Sequence, residues 1–320
     1  MRRFTAAVLA LLTLPIAPLH AQEVTLRALS AFAEGTFFAK NFERMIEKIN
    51  RENKGVLQLR YIGGPKAIPT MEAGNALRNG VVDIANLSSA FYANLMPEGD
   101  ALKLARITTA EQRKNGAWEY FNKLHNDKVN AWYLAKQHSN IPFHIYLSKP
   151  PKGIEMAGVR LRANPVYRDF FNALGANTVI IPPGEIYTAL ERGVVDGYGW
   201  PTVGIFDLGW HERTKYRIDP PFYAVDVMVL VNLNKWRSLT PAQQKVLSDA
   251  ALWLEGLDRD NEANMAKELE RQAQVGITTV RLKEADAKRY LDTAYKVGWD
   301  HLNKISPTHA PKLKTLLDKK

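Results

Sequence analysis

The chain has 320 residues and 46% of them are apolar, which is enough to bury one large core or two medium ones and too much for a disordered chain. The formal net charge is +10, but lysine and arginine are interleaved with aspartate and glutamate, which argues against a nucleic-acid partner. The chain contains no cysteine, so disulfides, a thiol nucleophile and a lipid anchor on cysteine are excluded.

The chain begins with the pattern of a secretory signal peptide. Arg2 and Arg3 give a positive start, the segment Ala6–Ala17 is apolar, and Ala21 is a small residue at the expected cleavage site. The apolar segment is shorter than the roughly 20 residues that a membrane-spanning helix needs. We therefore predict that residues 1–21 are removed and that the mature protein resides in the periplasm.

The next segments alternate between strand and helix patterns. They are a strand at Glu23–Leu29, a helix at Gly35–Asn50, a strand at Val56–Ile62, a helix at 69–79 and a strand at Val81–Leu87. This alternation predicts an α/β lobe around a mostly parallel sheet.

A second series of the same kind follows. It comprises strands at Phe143–Leu147, Val159–Ala163 and Thr178–Ile181 and helices at 166–174 and 184–192. A strand at Val225–Asn232 is then expected to return to the first lobe. The sequence therefore predicts two α/β lobes that face each other across a cleft, because ligands in such folds bind at the carboxyl ends of the strands.

The remainder of the chain has helical patterns. One stretch runs from Pro241 to Val275, is broken only by Gly256, and would be about 50 Å long, enough to brace both lobes. Two shorter helices are predicted at 284–303 and 308–319. We assign residues 22–139 and about 224–270 to lobe I, and residues 140–223 and about 271–320 to lobe II.

One octapeptide pattern occurs twice. Ala76–Asp83 reads ALRNGVVD and Ala189–Asp196 reads ALERGVVD, so in both places a helix ends at a glycine and a strand begins. Helix–glycine–strand junctions can resemble one another by chance. The interpretation we favour is that the two lobes share one construction.

Catalytic motifs are missing. The sequence contains no G-x-S-x-G, P-loop, H-E-x-x-H or G-x-G-x-x-G pattern, and the six histidines after the signal peptide are not paired at metal-binding spacing. We therefore predict a protein that is not an enzyme and that has no metal and no cofactor. An exported hydrolase of carboxylate esters is the alternative, since carboxylate pairs cannot be recognised from sequence.

The central segments are the most specific part of the sequence. Gly158–Asn164 reads GVRLRAN, Leu174–Ala176 reads LGA, and Ile181–Gly197 reads IPPGEIYTALERGVVDG. Together they resemble the solute-binding subunits of tripartite ATP-independent periplasmic (TRAP) transporters, the DctP family. The flanking segments Tyr61–Ile84 and Val231–Leu239 are similar to the same family, so the resemblance covers nearly the whole mature chain.

The resemblance implies a two-lobed clamp like that of periplasmic binding proteins, with hinge strands and a long lobe-spanning helix. It also implies delivery of an organic acid to integral-membrane subunits that use an ion gradient. We expect a monomer. A binding protein for another transporter class or a sensor kinase, and a structural periplasmic protein, are the alternatives.

The family resemblance places the ligand-binding arginine at Arg162. A planar guanidinium at a strand end matches a carboxylate with two parallel hydrogen bonds, which agrees with that role. Arg160 lies two residues earlier on the same strand face, and we expect it to form a structural ion pair.

Two positions depart from the family pattern. Many relatives carry a second basic ligand before this segment, where the present chain offers only His144, and many carry an asparagine where it has Trp200. An indole favours an apolar wall, so we expect a monocarboxylate with an apolar or aromatic body. The further candidates lie in cleft loops or near the hinge: Glu34, Phe37, Phe38, Ser88, Ser89, Phe91, Tyr92 and Asp226.

Overall fold

The computed structural model describes residues 23–318, so the predicted signal peptide lies outside the described residues. The strands are β1 (Val24–Ser30), β2 (Leu57–Gly63), β3 (Ile84–Ser88), β4 (Ala131–Gln137), β5 (Pro142–Leu147), β6 (Arg160–Ala163), β7 (Asn177–Ile180), β8 (Gly197–Pro201), β9 (Tyr216–Asp219), β10 (Phe222–Ala224), β11 (Val227–Asn232) and β12 (Thr278–Arg281). They form two separate sheets.

Helices cover these sheets. They are α1 (Phe37–Glu52), α2 (Ala73–Arg78), α3 (Thr109–Lys114), α4 (Ala117–Val129), α5 (Pro165–Ala173), α6 (Ile186–Glu191), α7 (Leu233–Ser238), α8 (Pro241–Gly256), α9 (Asn261–Gln274), α10 (Glu284–Ile305) and α11 (Ala310–Leu317). None of those in the described part of the chain is long and apolar enough to span a membrane.

Lobe I is built on the sheet β2-β1-β3-β11-β4. β1 is parallel to β2 and β3, whereas β11 is antiparallel to both β3 and β4. The three strands predicted from the alternation are parallel to one another, and β11, which enters from the other lobe, is the one strand of this sheet that runs in the opposite direction. The apolar face of α1, which includes Phe42, Met45 and Ile49, is buried against this sheet and α8.

Lobe II is built on the sheet β12-β9-β5-β8-β6-β7, with β10 paired to β5. β6 lies parallel to β7 and β8, and β5 runs antiparallel to β8. Residues at or just after the carboxyl ends of β1, β3, β6 and β8 line one pocket between the lobes. This arrangement places the loops that follow these four strands around the cleft.

Two chain segments form the hinge, because β4 leads into β5 and β10 leads into β11. They are joined where the Val225 N–H donates to the Ile141 carbonyl at 2.9 Å. His138 has a left-handed backbone conformation with φ of 61°. Asp258 holds this turn, since its carboxylate accepts hydrogen bonds from the backbone N–H groups of His138 and Ser139 at 2.7 and 2.9 Å.

The predicted long helix consists of two helices. α8 packs against α1 and β4 of lobe I, a 3-10 turn at Leu257–Asp260 follows, and α9 continues to lobe II. There the Glu268 carboxylate accepts from the Gly204 N–H at 3.0 Å. The segment therefore spans both lobes, with its break just after Gly256.

The two C-terminal helices contact the lobes in a different way from the one that the sequence predicted. α10 contacts α5 of lobe II and the 3-10 segment Pro97–Leu104 of lobe I. α11, which the sequence assigned to lobe II, packs against α4 and that same segment, and the Arg106 N–H donates to the Leu317 carbonyl at 2.9 Å. Burial of the apolar side of α11 against lobe I explains this placement.

Candidate functional site

Two adjoining cavities lie between the lobes. The outer chamber, of about 390 Å³, is lined by loops 31–38 and 64–70 of lobe I and by residues 183–184 and 200–208 of lobe II. The inner pocket, of about 30 Å³, is lined by Ser88, Phe91, Arg162, Asn164 and Asp226, among others. Three aromatic residues, Phe32, Phe38 and Trp200, line both cavities.

Arg162 lies on β6 and is completely buried. Its Nε donates to the Ile181 carbonyl at 2.8 Å, and Nη1 donates to the Tyr167 hydroxyl and, at 3.3 Å, to the Gly199 carbonyl. Nη2 has no hydrogen-bond partner, and no carboxylate of the described residues forms an ion pair with this side chain. Burial lowers the pKa of the guanidinium. The inner pocket therefore contains a desolvated cation that lacks an anion.

Arg160 has a different environment from its neighbour on β6. Its Nε and Nη2 both donate to the Asp196 carboxylate at 2.9 Å, and its side chain is largely exposed. It lines neither cavity. The geometry is that of a structural ion pair.

Aromatic rings separate the inner pocket from the outer chamber. The Phe38 ring of lobe I and the Trp200 ring of lobe II meet edge to face with centroids 5.9 Å apart. The guanidinium carbon of Arg162 lies 5.8 Å from the Trp200 centroid. Phe91 lines the inner pocket, whereas Phe37 lines neither cavity and packs against Phe38 and His138.

A buried carboxylate at the hinge binds both serines. The Ser88 hydroxyl donates to Asp226 Oδ1 at 2.9 Å, and the Ser89 N–H and hydroxyl both donate to Oδ2. Burial raises the pKa of Asp226 to about 6, although the two serines oppose the shift. Ser88 and Asp226 line the inner pocket, while Ser89 lies behind them.

Three other candidate ligand-binding residues lie outside the inner pocket. Tyr92 is buried in the core of lobe I, where its hydroxyl lies 2.8 Å from Nε2 of His125. His144 is bound behind the cleft, with Nδ1 3.0 Å from the Ile218 carbonyl and Nε2 3.1 Å from the Thr202 hydroxyl. Glu34 is exposed and lines the outer chamber.

Asp207, which no sequence pattern indicated, has a carboxylate that joins the two rims of the cleft. Oδ2 accepts a hydrogen bond at 2.7 Å from the N–H of Phe37, the first residue of α1. α1 has no acidic residue in its first turn, and the Thr36 hydroxyl donates to the Ala33 carbonyl instead of capping the helix. Asp207 of lobe II thus caps a helix of lobe I across the cleft.

The Gly63–Pro65 turn was a further missed element of the outer chamber. A Cβ atom at Gly64 would lie 2.8 Å from the Phe32 carbonyl oxygen, so this close approach of two backbones requires glycine. The signal in the sequence was a Gly-Gly-Pro turn at the end of a strand. Within residues 23–318, no group of three or more histidine, aspartate or glutamate side chains is placed to hold a metal.

The chain is similar to a family of known proteins and to a named periplasmic protein. The family described as bacterial extracellular solute-binding protein, family 7 (DctP) matches residues 30–301. The monocarboxylate 2-oxoacid-binding periplasmic protein of Nostoc is 24% identical over 233 residues, which are 68% of this chain and 62% of that protein, less than two thirds of its length.

Two solved structures show the same fold. An extracytoplasmic solute receptor of Bordetella pertussis binding pyroglutamic acid is 17% identical, with a TM-score of 0.80 over 92% of this chain and 100% of that one. A TRAP periplasmic solute-binding protein of Desulfovibrio salexigens with bound orotic acid is 20% identical, with a TM-score of 0.80 over 92% of this chain and 97% of the other.

Proposed function

The chain belongs to bacterial extracellular solute-binding protein family 7, the DctP family, and from this membership we propose that it captures a small organic carboxylate in the periplasm and delivers it to the integral-membrane subunits of a TRAP transporter. The unpaired Nη2 of buried Arg162 carries the proposal. A ligand carboxylate in the inner pocket would form charge-assisted hydrogen bonds with this guanidinium and neutralise it.

The two cavities support a ligand with a carboxylate head and a larger body. The inner pocket has room for only one or two water-sized groups, which suits a carboxylate. The outer chamber is of the size typical of ligand sites and carries Phe32, Phe38, Trp200 and Leu208 on its walls. We therefore propose a monocarboxylate with an apolar or aromatic body.

Three of the similar proteins support the proposal of a single carboxylate. The Nostoc protein is named for monocarboxylate 2-oxoacids, and the two similar structures hold pyroglutamic acid and orotic acid, which each carry one carboxyl group. In the present chain, a second carboxylate on the ligand body would encounter Glu34 and Asp207 in the outer chamber.

Binding is proposed to close the clamp. Phe38 and Trp200 come from different lobes, as do Asp207 and Phe37, so these contacts form only when the lobes approach each other. A ligand that bridges Arg162 and the walls of lobe I shifts the population toward the closed state. We propose that the protein does this as a monomer.

The hydrolase alternative gains no support from the two candidate serines. Ser88 and Ser89 donate to Asp226, and neither contacts a histidine. Both ring nitrogens of His144 are already bound elsewhere. Recovery of an unchanged acid from the purified protein would argue against ester hydrolysis.

Calorimetry with a panel of organic acids tests the proposed role of Arg162. Loss of a buried charged partner costs about 2–5 kcal/mol, so Arg162→Ala should weaken binding by about 30-fold to several thousand-fold. Arg160→Ala is the matched control on the same strand and should leave the affinity unchanged. Equal affinities for Arg162→Ala and the wild-type protein would refute the proposal.

A further inference from the structure

A second hydrogen-bond donor in the cleft has no partner. Trp200 is more than nine-tenths buried, and its indole Nε1 makes no hydrogen bond. Buried indole N–H groups usually find an acceptor, because an unsatisfied buried donor costs free energy. Together with Nη2 of Arg162, it makes a pair of unpaired donors on one wall of the site.

Gly204 shows where this N–H lies. Gly204 lines the outer chamber in a left-handed conformation with φ of 96°. A Cβ atom built on it would lie 3.3 Å from Trp200 Nε1 and 3.6 Å from Phe38 Cε2. The indole N–H therefore lies beside Gly204, a residue of the outer-chamber wall, and a side chain on Gly204 would crowd it.

We propose that Trp200 Nε1–H is a second recognition point, which donates a hydrogen bond to an oxygen on the body of the ligand. The proposal rests on the proposed function, since it takes the carboxylate to be bound by Arg162. The guanidinium carbon of Arg162 is 5.8 Å from the Trp200 centroid, so one small molecule can reach both donors. Trp200 then selects acids with a second oxygen acceptor in addition to forming an apolar wall.

The surroundings favour an uncharged oxygen, such as that of a ketone, amide or ether. Asp207 Oδ2 lies 3.6 Å from the Cβ position built on Gly204, so a carboxylate at the indole N–H would face another carboxylate. Glu34 adds a second carboxylate to the outer chamber. Lys66 also lines this chamber, but its side chain is exposed on the lobe I side. The ligand class is therefore a monocarboxylate with a neutral acceptor oxygen.

A matched series of acids tests this inference by calorimetry. Straight-chain acids from butanoate to heptanoate are compared with their oxo derivatives, and 5-oxohexanoate is compared with glutarate, which has nearly the same shape but a second charge. The best oxo acid should bind about 2- to 12-fold more tightly than its parent, the range expected for one neutral hydrogen bond. Glutarate should bind more weakly than 5-oxohexanoate.

Trp200→Phe removes the N–H and keeps an aromatic ring. In this variant the ratio of the affinities for the oxo acid and its parent should fall to about one, and a weakening common to both acids does not change that ratio. In the wild-type protein, the Trp200 indole N–H resonance, assigned from its loss in Trp200→Phe, should shift with the oxo acid and not with its parent. This readout is taken on the wild-type protein, and the variant serves only to assign the resonance.

The outcomes separate the two proposals. If the oxo and parent acids bind equally at every chain length and the indole resonance does not respond, the inference about Trp200 is overturned while the carboxylate site stands. If none of these acids nor any other organic acid binds, the proposed function itself is contradicted.

Discussion

Lobe I and lobe II each contain an arginine that binds an aspartate at the start of the neighbouring strand. Arg27 donates to Asp83 from Nε and Nη2 at 3.0 Å, and Arg160 donates to Asp196 from the same atoms at 2.9 Å. In both pairs the aspartate N–H also donates to the arginine carbonyl. The repeated octapeptides end at these aspartates, so the two lobes do share one construction.

The difference between the lobes lies two residues further along the strand. Leu29 pairs with Ala85 in lobe I, and Arg162 pairs with Tyr198 at the equivalent position of lobe II. Both side chains are fully buried. The same scaffold therefore holds a core leucine in one lobe and an arginine without an ion-pair partner in the other, so the proposed binding site occupies a position that is core in lobe I.

Replacing Arg162 of lobe II with leucine, the residue at the equivalent position of lobe I, should have the largest effect on ligand affinity. Arg162→Leu should reduce the affinity for organic acids by about 30-fold to several thousand-fold, because the anion loses its buried partner. The free energy of unfolding of the ligand-free protein should change by less than about 1 kcal/mol, since removal of a desolvated charge offsets the lost hydrogen bonds. Calorimetry and urea unfolding measure the two effects.

A large loss of stability in Arg162→Leu would contradict the view that this arginine serves the ligand. Leu29→Ala is the control in lobe I. It should destabilise the fold by about 2–5 kcal/mol, as expected for a large-to-small change in a core.

Loss of the contact between Asp207 and α1 should have the next largest effect on ligand affinity. Asp207→Ala removes the cap on α1, and helix caps contribute about 0.5–2 kcal/mol, so the affinity should fall by about 2- to 30-fold, mainly through faster dissociation. Asp207→Asn keeps an acceptor oxygen and should bind nearly as well as the wild-type protein. Stopped-flow fluorescence with a bound acid measures both rates.

The matched control for Asp207 is Asp292→Ala on the exposed surface of α10, where the aspartate pairs only with Lys288. It should leave both rates unchanged. A lower unfolding temperature for ligand-free Asp207→Ala, with unchanged dissociation, would show that the residue supports the fold of lobe II and not closure.

The two arginine–aspartate pairs should differ modestly in their contribution to stability. Asp83 is the more buried aspartate, and Arg27 also donates to the Gly80 carbonyl at 2.6 Å. Asp83→Ala should therefore cost about 1–3 kcal/mol and Asp196→Ala about 1 kcal/mol or less. Equal losses in urea unfolding would show that burial does not distinguish the pairs.

Low pH should weaken the ion pair between Arg160 and Asp196 in lobe II. The hydrogen bond from Arg160 lowers the pKa of Asp196 to about 2. Because the folded-state pKa lies below the unfolded value of about 4, the pair stabilises the protein above pH 4. This stabilisation should be lost as the pH falls from about 4 to 2, and the loss should be absent in Asp196→Asn.

The sequence predicted Arg162 for a local reason and missed Asp207, whose place in the cleft depends on a distant contact. Arg162 lies in a specific segment at the end of a predicted strand. Asp207 has no such segment, and it meets Phe37 only after the hinge brings residues 170 positions apart into contact. Phe37 and Phe38 are adjacent, yet only Phe38 lines the cavities, because the exact start of α1 decides which ring faces the cleft.

The alternation of strands and helices over residues 23–87 and 143–192, the shared construction of the two lobes and the family membership follow from the sequence, since periodicity and motifs are local properties. The course of α11 back to lobe I, the break between α8 and α9 and the division of the cleft into two cavities were decided by tertiary packing. These features depend on which apolar surfaces meet and on which buried donors remain unpaired, and both are properties of the assembled fold.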